Sequence, residues 1–559
     1  MRSVVLVALF SGALSAAALP EIRKAGGVSQ MYVDGKPFIM LGGELHNSSA
    51  SSVEYMRPIW SRLEALHLNT VIGVVNWELL EPEEGKFDFA LVDAQIQSAR
   101  QRSMRLVLIW FATWKNGKST YAPMWVKTNT KRFPRMETKP RPDLRSPISG
   151  LFTEYMPMPD LTPLGQETLA ADSKAFRALM RHIREVDPDH TVIMMQVENE
   201  SGLLVDSRDR SALAEAAWNK PVPAELMSYL TKHRETLLPE MQQVWGRNGY
   251  KTSGTWPEVF GTDNFADEVF MAWHVGRYVG KVIEAGKAEL ALPMYVNAWL
   301  GPQPGMDQPG QYPSGGPVAR VMDIWRAAAP ANDLLAPDIY VQDFKGTCAL
   351  YARSGNPLFI PEARAMVGNL FWALGQNAMG FSPFGIEDVR EGGQLADAYK
   401  VLGEMMPILA QAQAEKKVMG VLIDGEDAQT GTLAGYRVKI VPSRIRRQLD
   451  PGQAPLEPGA PKPQPQPDAP FGPPPPDQRA FGLIISTGSD EFLIVGAGLL
   501  VSFEADSSGP KIAEIGWIDE GRFANGQWIA GRRLNGDEGR IFLRSGPIGV
   551  LKVKLYRRD

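Results

Sequence analysis

The sequence predicts an α/β protein, a (β/α)8 TIM barrel followed by a C-terminal β-sandwich. Three observations lead there. Up to about residue 415, apolar strand-like runs alternate with helical patterns. Eight such strands fall between residues 37 and 384, the number that closes a barrel. From Val418 the pattern changes to short strands separated by Gly turns, the mark of a sandwich.

The eight strands are read at 37–43 (PFIMLGG), 70–75 (TVIGVV), 105–110 (RLVLIW), 191–197 (TVIMMQV), 293–298 (PMYVNA), 334–340 (LLAPDIY), 357–362 (PLFIPE) and 378–384 (AMGFSPF). Helix-like segments such as VEYMRPIWSRLEAL and LAADSKAFRALMRHIREV lie between most of them. A doubly wound sheet would fit the alternation too, but no Gly-rich phosphate turn follows an early strand. The late VGAGLLV near Gly496 lacks the spacing of a dinucleotide site. Residues 111–165 read as a long loop after the third strand, and 203–290 as extra helices after the fourth. Loops at that end of barrel strands shape substrate clefts.

The expected division is a signal peptide at 1–18, a barrel at 19–417 and a sandwich at 418–559. The N-terminus carries Arg2, an apolar run from Val4 to Leu14 and the small residues Ala16-Ala17-Ala18, which predicts export and cleavage near Ala18. A buried helix is the alternative. No later run is long enough to span a bilayer, so no membrane association is expected once the signal is cut. The stretch 450–478 is Pro-rich and low in apolar residues, so it reads as an extended loop within the sandwich.

Net charge is −4 and no dominant basic block occurs, so nucleic acid is not an expected partner. A single cysteine, Cys348, excludes an intramolecular disulfide. With six His and no Cys/His cluster, neither a metal nor a cofactor is expected.

The chemistry is read from the stretch QVENE. If the fourth strand ends at Val197, then Glu198, Asn199 and Glu200 sit at its C-terminal mouth, where barrel active sites lie. Glu362 ends the seventh strand in the same way. Two carboxylates on facing rims are the equipment of glycosidic cleavage: one protonates the leaving oxygen and the other attacks the anomeric carbon. The bland alternative is a pair of structural salt bridges.

At these residues the sequence resembles glycoside hydrolase family 35, the β-galactosidases. QVENE, FIPEA, VVNWELLEPEEGKFDF (74–89) and KPFIMLGGELHNSS (36–49) carry the resemblance, which covers roughly residues 30–415. The C-terminal part resembles the β-rich domain of a bacterial subgroup of that family. The resemblance implies Glu200 as general acid/base, Glu362 as nucleophile and Asn199 as partner of the sugar 2-hydroxyl. Glu198 is expected to orient a neighbour or hold a nearby positive group. Asn76 and Glu78 end the second strand and suit sugar hydroxyls. Trp114 and Trp125 either stack on sugar rings or pack the loop. Trp299 and Tyr340 are candidate subsite walls, and His46 is a further candidate, with a structural role equally open.

Departures from the family pattern fall outside the two Glu positions. Asn76-Trp77-Glu78 replaces Pro-Trp-Asn, Leu80 precedes Glu81-Pro82, Ser201 replaces Tyr, and WFATWKNGKSTYAPMWV replaces a loop with Gly-Pro-Tyr-Glu-Trp. The implied activity is an exported, periplasmic or secreted, retaining exo-β-galactosidase acting on plant oligosaccharides or side chains such as those of xyloglucan. The rivals are a β-glycosidase with another glycone and a non-catalytic carbohydrate-binding protein.

Overall fold

The computed structural model describes residues 18–139, 144, 160–425, 427–443, 477–506 and 509–559. The expected signal peptide and nearly all of the Pro-rich stretch lie outside the described residues.

Eight parallel strands close into a barrel: β1 Met40–Glu44, β2 Thr70–Asn76, β3 Arg105–Lys115, β4 Val192–Asn199, β5 Met294–Trp299, β6 Leu334–Ile339, β7 Ile360–Ala363 and β8 Gly380–Pro383. Their order around the barrel is β7-β8-β1-β2-β3-β4-β5-β6. Each is covered on both faces, which is why it reads as a continuous apolar run. One face meets the surrounding helices. The helix Val53–Ala65 is typical: Ser52 caps it by accepting from the Tyr55 amide, and Met56, Ile59, Trp60 and Leu63 recur at helical spacing to face the strands.

The inner face is a separate apolar layer built from Met40, Ile72, Val74, Val107, Ile109, Tyr295, Leu334, Ala336 and Phe359. Met31 and Val33 belong to the same layer, although they precede the barrel. They come from a three-stranded antiparallel sheet, Glu21–Ala25, Val28–Val33 and Lys36–Phe38, which plugs the N-terminal end. Gln30 ties this plug to the last barrel helix, Gln394–Ala414, by donating to the Ala410 carbonyl at 2.7 Å.

Several element boundaries differ from the sequence reading: β4 runs through Asn199 instead of ending at Val197, and β7 begins at Ile360 rather than Pro357. The run at 37–43 is two strands, broken at Ile39: Lys36–Phe38 belongs to the plug and β1 to the barrel. The third strand continues five residues beyond Trp110, with a register shift against β4 between Trp110 and Lys115. This extension carries Lys115 to the mouth of the barrel.

The C-terminal part contains a six-stranded and a four-stranded antiparallel sheet. Val421, Tyr436, Val438, Ile484, Phe492, Ile494 and Val553 form their shared core. Val418–Ile423 pairs with Ala480–Gly488, and Tyr436–Pro442 with Leu499–Ala505, so the chain contributes strands on both sides of the Pro-rich stretch. The barrel touches this part backbone to backbone. A Cβ added at Gly375, at the end of the helix Val367–Gly375, would lie 2.2 Å from the Gly420 Cα. Asp477 reaches the same helix by accepting from the Gly368 amide at 2.8 Å.

Candidate active site

Along the barrel strands side chains alternate between the two faces. Above the inner apolar layer, two residues further along β5 and β6, come Asn297 and Asp338. They are joined there by Glu44 from β1 and Glu362 from β7. Polar groups replace apolar ones at the C-terminal end of the same interior.

Glu200, Asp338 and Glu362 each bring a carboxylate oxygen within 4.8 Å of the other two. All three are buried. Among the described residues no other trio of His, Cys, Asp or Glu side chains converges so closely. Asn297 sits among them. Its amide donates to Asp338 at 2.7 Å, to the Asn199 oxygen at 3.0 Å and, at 3.4 Å, to Glu362. Its own oxygen accepts from the Glu200 amide at 3.0 Å. The Tyr340 hydroxyl donates to the other Glu362 oxygen at 2.9 Å. Glu362 is therefore held at both oxygens, which fixes its direction.

The backbone contributes as well. Glu198 and Glu200 have φ of 63° and 44°, left-handed values that disfavour an L side chain. Two such residues flanking Asn199 break the alternation of β4. Asn199 is fully buried, with its oxygen accepting from Gln196 at 2.9 Å and its amide donating to Asn116 at 3.3 Å.

Burial raises the pKa of both carboxylates of the pair, but their surroundings differ. For Glu200, burial is reinforced by the charge of Glu362 and opposed by Lys115 and a hydrogen bond with Asp338. The result is a pKa pushed up to about 7. For Glu362, burial is opposed by Lys115, by the hydrogen bond from Tyr340 and by the nearby Glu44. Glu200 is thus the better placed to hold a proton, and Glu362 is the better supported as an anion.

The other sequence candidates take varied places. Glu198 points away from this group. It accepts from the Thr113 and Trp114 amides at 3.1 and 2.7 Å and neighbours the buried Asp172. Its partners are backbone N–H groups and a second carboxylate, and it ties the β3 extension to β4, which fits orienting a neighbour rather than holding a cation. Trp114 is fully buried with its ring edge-on to Tyr278 at 4.8 Å. Trp125 packs between Trp77 and Phe133 and donates to the Glu81 carbonyl. Trp114 thus packs inside β3 and the half-buried Trp125 packs against the loop, the packing alternative of the two. Glu78 pairs with Lys127 at 2.9 Å. His46 bridges the turns after β1 and β8: its amide donates to Glu387 and its ring nitrogen lies 2.7 Å from Asp388. Asn76 lines a cavity beside the helix Ala90–Arg100, and its side-chain oxygen is buried without a partner. Trp299 ends β5 half-buried, in register with Asp338.

Four residues of the site were missed by sequence reasoning: Glu44, Lys115, Asn297 and Asp338. Three of them gave the signal that revealed Glu362, a single polar residue at or near the end of an apolar run. Lys115 gave the same signal more weakly, because Thr113 interrupts the run and the sequence reading ends the strand at Trp110.

Fold and site together define a (β/α)8 barrel with a buried paired-carboxylate centre at its C-terminal mouth. Residues 50–139 match a glycoside hydrolase family 42 model described as β-galactosidase, and residues 395–545 match a domain of unknown function, DUF5597. A β-galactosidase of Xanthomonas manihotis is 34% identical over 99 residues, 17% of this chain and 16% of that protein. β-Galactosidase-1-like protein 3 of Homo sapiens is 39% identical over 64 residues, 11% of this chain and 10% of that protein. The matched stretches thus span about one sixth or less of these relatives' lengths. Among solved structures, a cold-adapted β-galactosidase from Rahnella sp. R3 overlaps at TM-score 0.43 and 16% identity, covering 67% of this chain and 57% of that one. A β-galactosidase from Bacillus circulans sp. alkalophilus overlaps at TM-score 0.42 and 14% identity, with the same coverage. Over the matched stretches the chain is similar to β-galactosidases. Its strand-end motifs resemble family 35, whereas the matching model is that of family 42.

Proposed function

We propose that the chain is a retaining exo-β-galactosidase releasing terminal β-galactose from plant oligosaccharides or polysaccharide side chains such as those of xyloglucan. The observation that carries this reading is the approach of Glu200 and Glu362 oxygens to within 4.8 Å. That closeness favours the roughly 5–5.5 Å carboxyl separation of retaining enzymes over the about 6.5–9.5 Å of inverting ones.

Glu362, held by Tyr340 and Asn297, attacks the anomeric carbon while Glu200 gives its proton to the leaving oxygen. The product is a covalent glycosyl-enzyme and a released alcohol. Glu200, now ionised, then takes a proton from water, whose oxygen displaces Glu362 and restores the starting state. A Glu200 pKa of about 7 suits both halves, since the group must hold a proton in the first and accept one in the second. Asn199 meets the sugar 2-hydroxyl in this reading, and Trp299 and Tyr340 border the glycone. Export, to the periplasm or beyond, is proposed from residues 1–18.

The test is hydrolysis of a nitrophenyl glycoside panel by the mature protein, with Glu362→Gln alongside. The expected result is a β-galactoside preference lost in the variant. Turnover confined to another glycoside overturns the sugar and keeps the mechanism. Sugar binding without turnover, unchanged by Glu362→Gln, overturns the enzyme reading.

A further inference from the structure

Glu44 lies inside the catalytic group without a role in the mechanism above. It ends β1, and β8 separates β1 from β7, which carries Glu362. The crossing is tight because β8 and β1 are lined with small residues. A Cβ added at Gly42 would lie 2.3 Å from the Ser382 hydroxyl, and one at Gly380 would lie 2.5 Å from the Met40 Cβ. Glu44 bridges to Phe384, whose amide donates to the Ala363 carbonyl. Glu44 and Glu362 therefore stand at the same height across one strand.

Glu44 is fully buried, and neither carboxylate oxygen has a hydrogen-bond donor. Its neighbours do: Glu362 receives Tyr340 and Asn297, and Asp338 receives Asn297. The titratable and charged groups facing Glu44 are Lys115, Glu200, Tyr295, Asp338, Tyr340 and Glu362. Among these, four carboxylates counting Glu44 stand against one ammonium. They cannot all be ionised in a water-poor interior. The carboxylate without donors gains least from being an anion.

We propose that Glu44 is a positioning residue that carries a proton in the resting protein and donates it in a hydrogen bond to Glu362. The inference rests on the reading of Glu362 as nucleophile. A neutral Glu44 adds a third donor to Glu362, after Tyr340 and Asn297, and adds no negative charge beside it. It keeps the nucleophile ionised and aimed, and acts on the reaction only through Glu362.

The experiment pairs Glu44→Gln, which keeps a neutral donor, with Glu44→Leu, which removes it. The pH profile of kcat/KM is measured for each, and the infrared band of protonated carboxyl groups is recorded at about pH 8, where exposed acids are ionised. The expected result is that Gln holds the acid limb in place and removes one protonated-carboxyl band. Leu moves the acid limb up by about one pH unit and lowers kcat on the order of 10²-fold, with KM little changed. Gln restores most of that loss. Two results overturn the proposal: an unchanged band in Glu44→Gln, or a downward shift of the profile in that variant, which would mean that a negative charge had been removed. If Leu does not fold, the Gln variant alone still decides by the sign of its shift. If the wild-type protein turns over no glycoside, the hydrolase reading fails separately, while the infrared band still reports the proton on Glu44.

Discussion

The two ends of the barrel interior are built from the same strands and obey opposite rules. At the N-terminal end Met31 and Val33 of the plug meet Met40, Ile72, Val107 and Phe359 in an apolar layer. At the C-terminal end, a few residues further along, four carboxylates share one ammonium, and Glu44, Asp338 and Tyr295 keep buried oxygens without partners. Left-handed backbone at Glu198 and Glu200 adds local strain there. The lower end has the composition that stabilises a fold, and the upper end gives up stability to hold carboxylates close together in a buried interior. Mutations at the two ends should therefore have crossed effects on activity and stability.

The largest effect belongs to Glu362. Glu362→Ala should lower turnover by about 10⁴-fold or more, and added azide should restore activity with an inverted glycosyl azide as product. Turnover of the variant within about tenfold of wild type would remove Glu362 from the mechanism.

Next comes Glu200. Glu200→Ala should slow substrates with poor leaving groups by roughly 10²–10⁴-fold, and nitrophenyl glycosides far less, because a phenolate needs little protonation. Wild-type activity should decline as pH rises through about 7, where Glu200 loses its proton. Equal losses for both leaving groups, or a basic limb that survives Glu200→Ala, would assign the acid role elsewhere.

How much of this was legible beforehand follows the same division. The eight strands could be read because burial on both faces leaves parallel strands as unbroken apolar runs. Glu200 and Glu362 stood out as polar interruptions of those runs. Glu44, Asn297 and Asp338 are interruptions of the same kind, in MLGGEL, YVNA and APDI, and deserved the same inference. The plug was not legible, because Lys36–Phe38 merges in sequence with β1 and only the break at Ile39 separates them. Trp114 and Trp125 show a different limit: a ring that stacks on sugar and a ring that packs a loop bury similar apolar area, and sequence carries no sign of which neighbour it meets.

The plug end tests the other half of the comparison. Met31 is fully buried within the lower layer. Met31→Ala removes its packing and should destabilise the protein by about 2–5 kcal/mol, read from denaturant unfolding. At a temperature where the variant stays folded, kcat should match wild type. A loss of kcat without loss of stability would mean that the plug supports the carboxylates directly and that the two ends are not separable.

The smallest effect is the most diagnostic, because its sign is counter-intuitive. Glu200 is raised from an ordinary 4.5 to about 7 by burial and by Glu362. Between those values the folded protein binds the proton more tightly than the unfolded chain. Stability therefore falls as pH rises through the window and stays reduced above it. Glu200→Gln has no proton to lose. At about pH 4 it should match wild type, and at about pH 8 it should be more stable by roughly 2–3 kcal/mol, while much less active. A higher Tm for the variant at the upper pH only would place the strain on the ionised carboxylate. Equal Tm values at both would mean that Glu200 ionises freely, and the acid role would then need another source for its proton.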